Sequence, residues 1–279
     1  MTGPLDRPVF IVSSPRSGSS MLFRTLVQSP SACWIGGESH ALIEGVEGLH
    51  PAQRNWDSNR LESGDATAAI VEQLRARFAA ALRDRDGGLP QTGQSMIEKT
   101  PKNSLRIPFL AAAFPGARFL FLHRDARETL SSMIEAWQSG NFRTYPRLPH
   151  WPGLPWSLLL VPGWQELRGL PLEEIVALQW LSTMETLLDD LSRIAPANLV
   201  MADYRAIVDA PAQAITALCS RLSLDWDRPL GEALPLSGTT VTAPAADKWR
   251  RHEALIERIW PIVAATEARA RALVAEAPT

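Results

Sequence analysis

Between Phe10 and Leu26 the chain reads FIVSSPRSGSSMLFRTL, an apolar β-branched run that stops at a Ser/Pro/Arg/Gly cluster and resumes at once with helical spacing. Strand, tight turn and helix in that order is the layout of a phosphate-binding loop. Aligned on Gly18, the pattern GxxxxGK[ST] becomes Ser13, four residues, Gly18, Ser19 and Ser20. Serine replaces both the first glycine and the lysine that would hold β- and γ-phosphates, and Arg16 stands inside the loop. Backbone N–H groups from Ser17 to Ser20, at the positive end of the next helix, form an anion nest. Ser19 and Ser20 add hydroxyl donors, and Arg16 adds a fork of charge.

The rest of the chain repeats the alternation. Apolar β-rich runs at Val9–Ser13, Ser95–Glu98, Arg118–His123 and Asn198–Ala202 are separated by helical patterns. Ile70, Val71, Leu74, Phe78 and Leu82 form one, Leu105, Phe109 and Ala112 another, and Leu130, Met133, Ile134 and Trp137 a third. This predicts an α/β fold in three layers, a mostly parallel central sheet flanked by helices, with residues 1–279 as one domain. The last stretch, Asp247 to Glu276, reads as one or two helices with a break at Pro261. Residues 143–171 interrupt the rhythm with six prolines and with Trp151, Trp156 and Trp164. That insertion reads either as a rigid cover packed on the core or as a wall or lid of an acceptor site.

Several function classes drop out. A net charge of −2 argues against a nucleic-acid binder working through a broad basic field, so any anion site must be local. The most apolar stretch, Ile107 to Leu122, is broken by Pro108, Pro115, Gly116 and Arg118, short of the roughly 20 apolar residues of a membrane span. The start lacks a signal-peptide pattern, and Cys33 and Cys219 stand far apart without a CxxC motif or a nearby His cluster. Two buried thiols in a reducing cytoplasm are expected, with no disulfide and no metal site.

A second segment, RFLFLHRDARETLSSM, ends a strand at His123 and places Arg124 at its carboxyl end. Ser132 follows eight residues later, about two helical turns on. Ligands of open α/β sheets bind outside strand carboxyl ends, so Arg124 and Ser132 can meet a second phosphate. Alone, the segment reads equally as a surface arginine paired with Asp125 or Glu128.

PRSGSS after the first strand, together with Arg124 and Ser132, resembles the two cofactor signatures of sulfotransferases that use 3′-phosphoadenosine 5′-phosphosulfate (PAPS). The resemblance runs from Phe10 to about Arg251 and is closer to the bacterial and tyrosylprotein-type branch than to the cytosolic one. It implies that Arg16, Ser17, Gly18, Ser19 and Ser20 bind the 5′-phosphosulfate and that Arg124 and Ser132 bind the 3′-phosphate. It implies Lys99, in SMIEKTPKNSL, as a cation on the transferring sulfate, with Arg16 sharing that work and no metal ion required. The cytosolic branch carries a catalytic histidine where this chain has Pro101. Glu38, in SACWIGGESHALIEG, matches the glutamate base of the tyrosylprotein branch, and a base in an anion pocket is expected to have a raised pKa. An N-terminal helix charge is the plain alternative for Glu38, and His40 is a candidate acceptor contact or second base. Tyr204, Lys248 (with Arg250 and Arg251 as competitors) and Ser237 complete the implied nucleotide site, whereas Ala136 stands where the tyrosylprotein branch has a further arginine. The implied acceptor is a hydroxyl on a small molecule, lipid or carrier-bound substrate. A P-loop nucleotide kinase and a non-catalytic nucleotide-binding protein of the same fold are the alternatives.

Overall fold

A computed structural model of the chain describes residues 3–231, 233–235 and 247–276. Six strands form the main sheet: β1 (Val9–Val12), β2 (Ala32–Trp34), β3 (Arg83–Asp84), β4 (Ser95–Lys99), β5 (Arg118–His123) and β8 (Leu199–Asp203). Their order is β3-β2-β4-β1-β5-β8, parallel throughout except for the antiparallel edge strand β3. Parallel strands buried on both faces read as unbroken apolar runs, and all four residues of β1 are buried. Phe10, Val12, Phe119 and Phe121 point into one core, while Val9, Ile11, Leu120 and Leu122 point into the other.

Helices α1 (Ser19–Leu26), α7 (Tyr204–Asp209) and α8 (Pro211–Leu222) cover the second core. The first is covered by α3 (Ala68–Ala81), α4 (Ile107–Ala113), α5 (Ala126–Ser139), α6 (Leu172–Leu191) and α9 (Glu253–Ala275). Short α2 (His40–Glu44) follows β2. The expected three-layer α/β architecture is the architecture found.

Pro261 does not break the C-terminal helix, contrary to the sequence expectation; α9 runs through it. The buried residues Ile256, Ile259 and Val263 carry one apolar stripe across the proline, so tertiary packing outweighs the single lost backbone bond. Strands β2 and β3 were also missed, being three and two residues long.

The insertion is a packed unit. Its strands β6 (Arg143–Tyr145) and β7 (Trp156–Ser157) pair antiparallel, and Trp151, Trp156 and Trp164 pack edge-to-face with centroids 4.8–6.1 Å apart. Trp137 of α5 meets Trp156 at 5.3 Å. Each indole N–H is used: Trp156 donates to Leu159 O at 3.0 Å and Trp164 to Trp56 O at 2.7 Å. Trp151 donates to Leu154 O, also at 2.7 Å.

Candidate active site

The loop after β1 is held from below. Ser104 accepts from Ser13 N at 3.0 Å and donates back to Ser13 O at 2.6 Å, while Ser17 Oγ donates to Ser14 O at 2.7 Å. Arg16 and Gly18 both take left-handed backbone angles, φ 68° and 91°. Gly18 is required twice over: besides its φ, a Cβ there would lie 2.4 Å from Tyr204 Cε2. The sharp turn aims the Arg16 side chain across the site, where Nε donates to Ser132 Oγ at 3.2 Å and the guanidinium lies 4.5 Å from the Phe142 ring centre. Burial and the neighbouring Arg124 lower the pKa of Arg16, with Glu135 opposing them.

Arg124 follows β5 and stacks on Tyr204, which follows β8, with Cζ 4.3 Å from the ring centre. It donates to Glu128 at 2.8 Å and to Arg16 O at 3.1 Å. The plain ion-pair reading of Arg124 thus coexists with its place in the site. Ser132 turned out to bond Arg16, so one hydroxyl links the two signature segments.

On the other side, Lys99 ends β4 and donates to Glu38 Oε1, and His40 Nε2 lies 2.7 Å from Glu38 Oε2. Glu38 lies just outside α2, whose N-cap is Ser39. Ser39 is tied to the Lys99 strand: its N–H donates to Thr100 Oγ1 at 2.7 Å, Thr100 donates to Glu98, and Asn103 donates to Glu98 at 2.7 Å. Glu98 is fully buried, which raises its pKa despite these donors.

The expected raised pKa of Glu38 is overturned. Burial pushes it up, but the bonds and charges of His40 and Lys99 outweigh burial and bring it to about 2. The sequence expectation weighed the anion pocket and burial without knowing that the lysine would contact the carboxylate itself.

These groups line one cavity of about 630 Å³. Arg16, Gly18, Ser19, Ser20, Glu38, His40, Lys99, Arg124, Ser132, Tyr204 and Lys248 all reach it. Ser17 lies buried beneath the loop. Lys248 pairs with Glu135 of α5 at 2.8 Å, while the competitors Arg250 and Arg251 are more than half exposed and do not line the cavity. Ser237 lies outside the described residues. Asp203 caps α7, accepting from Ala206 N at 2.9 Å, and does not line this cavity.

Sequence reasoning missed several lining residues. Phe142, Leu158 and Leu159 at the base of the insertion line the cavity, whereas Trp151, Trp156 and Trp164 do not. Leu158 has φ 66°, an unusual angle for a bulky residue, held by its N–H donating to Phe142 O at 3.0 Å. Lys102 was also overlooked, although it stands three residues after Lys99 in the same motif. Burial lowers its pKa to about 8, against the pull of Glu44, which it contacts at 2.8 Å. Trp249 lines the cavity next to Lys248.

Chemically the cavity has two cationic stations. One is Arg16, Arg124, Ser132 and Tyr204, with Arg16 bonded to Ser132; the other is Lys99, paired with Glu38, with His40 beside it. Nδ1 of His40 is buried and has no hydrogen-bond partner among the described residues, so it can still accept or donate one bond.

Residues 8–154 match the profile of the sulfotransferase family. The protein-tyrosine sulfotransferase of Drosophila melanogaster is 26% identical over 129 residues, 45% of this chain and 25% of that protein. Protein-tyrosine sulfotransferase A of Caenorhabditis elegans is 25% identical over 131 residues, 45% of this chain and 32% of its own length. The chain spans less than half the length of the curated relatives it matches. Among solved structures, a sulfotransferase from Alicyclobacillus acidocaldarius superposes with a TM-score of 0.51, 17% identity and 97% coverage of both chains. A sulfotransferase from Mycobacterium avium gives 0.50 at 15% identity, over 94% of this chain and 76% of that one. At such identities the likeness is one of fold.

Proposed function

The chain belongs to the sulfotransferase family, and from that membership we propose that it transfers a sulfuryl group from PAPS to an acceptor hydroxyl and releases 3′-phosphoadenosine 5′-phosphate. The observation that carries this reading is the meeting of cationic groups and a carboxylate in one cavity: Arg16, bonded to Ser132, with Arg124 and Tyr204, and Lys99 paired with Glu38. The donor set suits a nucleotide with two separate anionic groups. Guanidinium, ammonium and hydroxyl groups line the cavity.

PAPS, when bound, supplies an activated sulfuryl group. The N–H groups of Ser17 to Ser20 hold its 5′ anion, and Arg124 with Ser132 holds the 3′-phosphate. Tyr204 and Lys248 close on the nucleotide, and Ser237 is assigned to the sulfate side on the family resemblance alone. Arg16 and Lys99 offset charge that develops on the transferring oxygens. Lys99 exchanges a Glu38 oxygen for a sulfate oxygen, and Glu38, released from its cation, takes the acceptor proton. His40 positions the acceptor hydroxyl. The insertion, residues 143–171, walls the acceptor side through Leu158 and Leu159, together with Phe142 just before it. We place the protein in the cytoplasm, because Cys33 and Cys219 are buried free thiols.

The test is a panel of hydroxylated acceptors with sulfur-labelled PAPS. Transfer to one class supports the reading. Magnesium-dependent ATP turnover instead would indicate a phosphotransferase, and PAPS binding without transfer to any acceptor would indicate a binding protein.

A further inference from the structure

The mechanism uses Arg124 and Tyr204 but leaves the residues before them unexplained. Those residues, His123 and Asp203, end β5 and β8 and face each other in register. The His123 side chain is only 5% exposed, with Nδ1 3.7 Å from Asp203 Oδ2 and Nε2 3.1 Å from Glu267 Oε2. Glu267 comes from α9 and is buried in turn. One turn further, Arg271 donates from Nε to Glu267 Oε1 at 2.6 Å and from Nη2 to Asp125. Asp125 follows Arg124 and caps α5 by accepting from Arg127 N at 2.7 Å. The C-terminal helix therefore grips both strand ends at residues that adjoin Arg124 and Tyr204.

The charges favour a doubly protonated imidazole. Asp125, Asp203 and Glu267 face two basic groups, His123 and Arg271, while Glu128 is engaged by Arg124 at 2.8 Å and approached by Arg205 at 3.5 Å. A doubly protonated ring donates from Nε2 to Glu267 and sets its charge beside Asp203, whose 3.7 Å separation makes an ion-pair contact without a hydrogen bond. Burial alone would lower the pKa of His123, but these two carboxylates lift it to about 9.

We propose that His123, Asp203 and Glu267 form an ionic clamp, closed by the C-terminal helix, that holds Arg124 against Tyr204 and thereby sets the grip on a nucleotide 3′-phosphate. His123 is a positioning residue that acts through Arg124. The inference rests on the reading of Arg124 as the 3′-phosphate ligand. With a folded pKa above the ordinary histidine value, the clamp is complete below about pH 6.5 and is lost as pH rises through about 9. A phosphate monoester, with a second pKa of about 6, keeps its charge above about pH 7.5. Titrations acting on the rest of the nucleotide cancel when 3′-phosphoadenosine 5′-phosphate is compared with AMP.

The experiment is calorimetry of both nucleotides from about pH 7.5 to pH 10, with wild type, His123→Gln and Arg271→Ala. In the wild type the preference for the 3′-phosphorylated nucleotide should fall about tenfold across the interval, as one charge-assisted contact is lost. His123→Gln should start about tenfold lower and lose the pH slope, with AMP affinity changing less than about twofold. If His123→Gln folds poorly, Arg271→Ala, at a half-exposed position, should loosen the clamp through Glu267 and lower the preference in the same direction. Equal affinity for the two nucleotides in the wild type would remove the 3′-phosphate reading and the clamp with it. A wild-type preference that survives both variants with its pH slope intact overturns the clamp alone. An equal loss for both nucleotides marks a merely structural role and overturns it as well.

Discussion

Lys99 Nζ donates a hydrogen bond to Glu38 Oε1, so the proposed sulfate cation and the proposed base are each other's partner. Against the upward push of partial burial, hydrogen bonds and charge from His40 and Lys99 together hold Glu38 ionised, at a pKa of about 2. The lysine contact also couples two roles: Lys99 cannot engage a sulfate oxygen without weakening its hold on Glu38, and the proton affinity of Glu38 rises as it does so.

Glu38→Gln tests the base directly. The amide keeps the size and most hydrogen bonding but cannot take a proton. Nucleotide affinity should stay within a few-fold of wild type while kcat falls by about 10²–10⁴. His40→Ala should act mainly on acceptor KM. Near-normal kcat in Glu38→Gln together with a dead His40→Ala would transfer the role to His40.

The pH profile tests the coupling. kcat/KM reports groups of the free enzyme, and Glu38 is depressed, so its contribution is present above about pH 4.5 and is lost only as pH falls through about 2. No acid limb from Glu38 should therefore appear in kcat/KM near neutral pH. Lys99→Met removes one of the two partners, with His40, that lower the pKa, and the acid limb of its residual activity should move to higher pH. A limb that stays in place would mean that Lys99 does not control the base.

Much of this arrangement was readable in advance, for identifiable reasons. Val9–Val12 and Arg118–His123 lie between helices and are buried on both faces, so their apolar runs announce a parallel sheet. Arg124 was singled out because a strand carboxyl end is a position that sequence can locate, and Lys99 because its motif resembles the family's. Pairwise contacts between distant segments left no such trace. Nothing in the spacing says that Lys99 would meet Glu38, or that Ser132 would bond Arg16 across 116 positions. Trp151, Trp156 and Trp164 suggested a ligand surface by composition, yet they pack on one another, and the cavity wall falls to Phe142, Leu158 and Leu159.

Gly18→Ala should damage both stability and the site. A left-handed non-glycine residue costs roughly 1–2 kcal/mol, and the new Cβ would also displace Tyr204, whose Cε2 lies 2.4 Å from where it would stand. The variant should melt at lower temperature, and its affinity for 3′-phosphoadenosine 5′-phosphate should drop at least several-fold beyond any change at the neighbouring Ser19→Ala. Unchanged nucleotide affinity would show that Tyr204 does not contact the ligand.

Transfer should persist in EDTA. A sulfuryl group carries less negative charge than a phosphoryl group, and the cavity offers Arg16 and Lys99 as the charge-stabilising groups. Activity measured with PAPS after exhaustive chelation should match the untreated protein. Strict dependence on added magnesium would contradict the proposed division of labour and favour the phosphotransferase alternative.

The insertion separates stability from specificity. Trp156 is fully buried among Trp137, Trp151 and Trp164, so Trp156→Ala should cost about 3–5 kcal/mol of stability, measured by denaturant unfolding. Phe142 is only partly buried, and its ring lies under Arg16 at the cavity wall. Phe142→Ala should leave stability within about 1 kcal/mol and raise acceptor KM far more than it lowers nucleotide affinity. A change in nucleotide affinity as large as the change in acceptor KM would place Phe142 against the donor, not the acceptor.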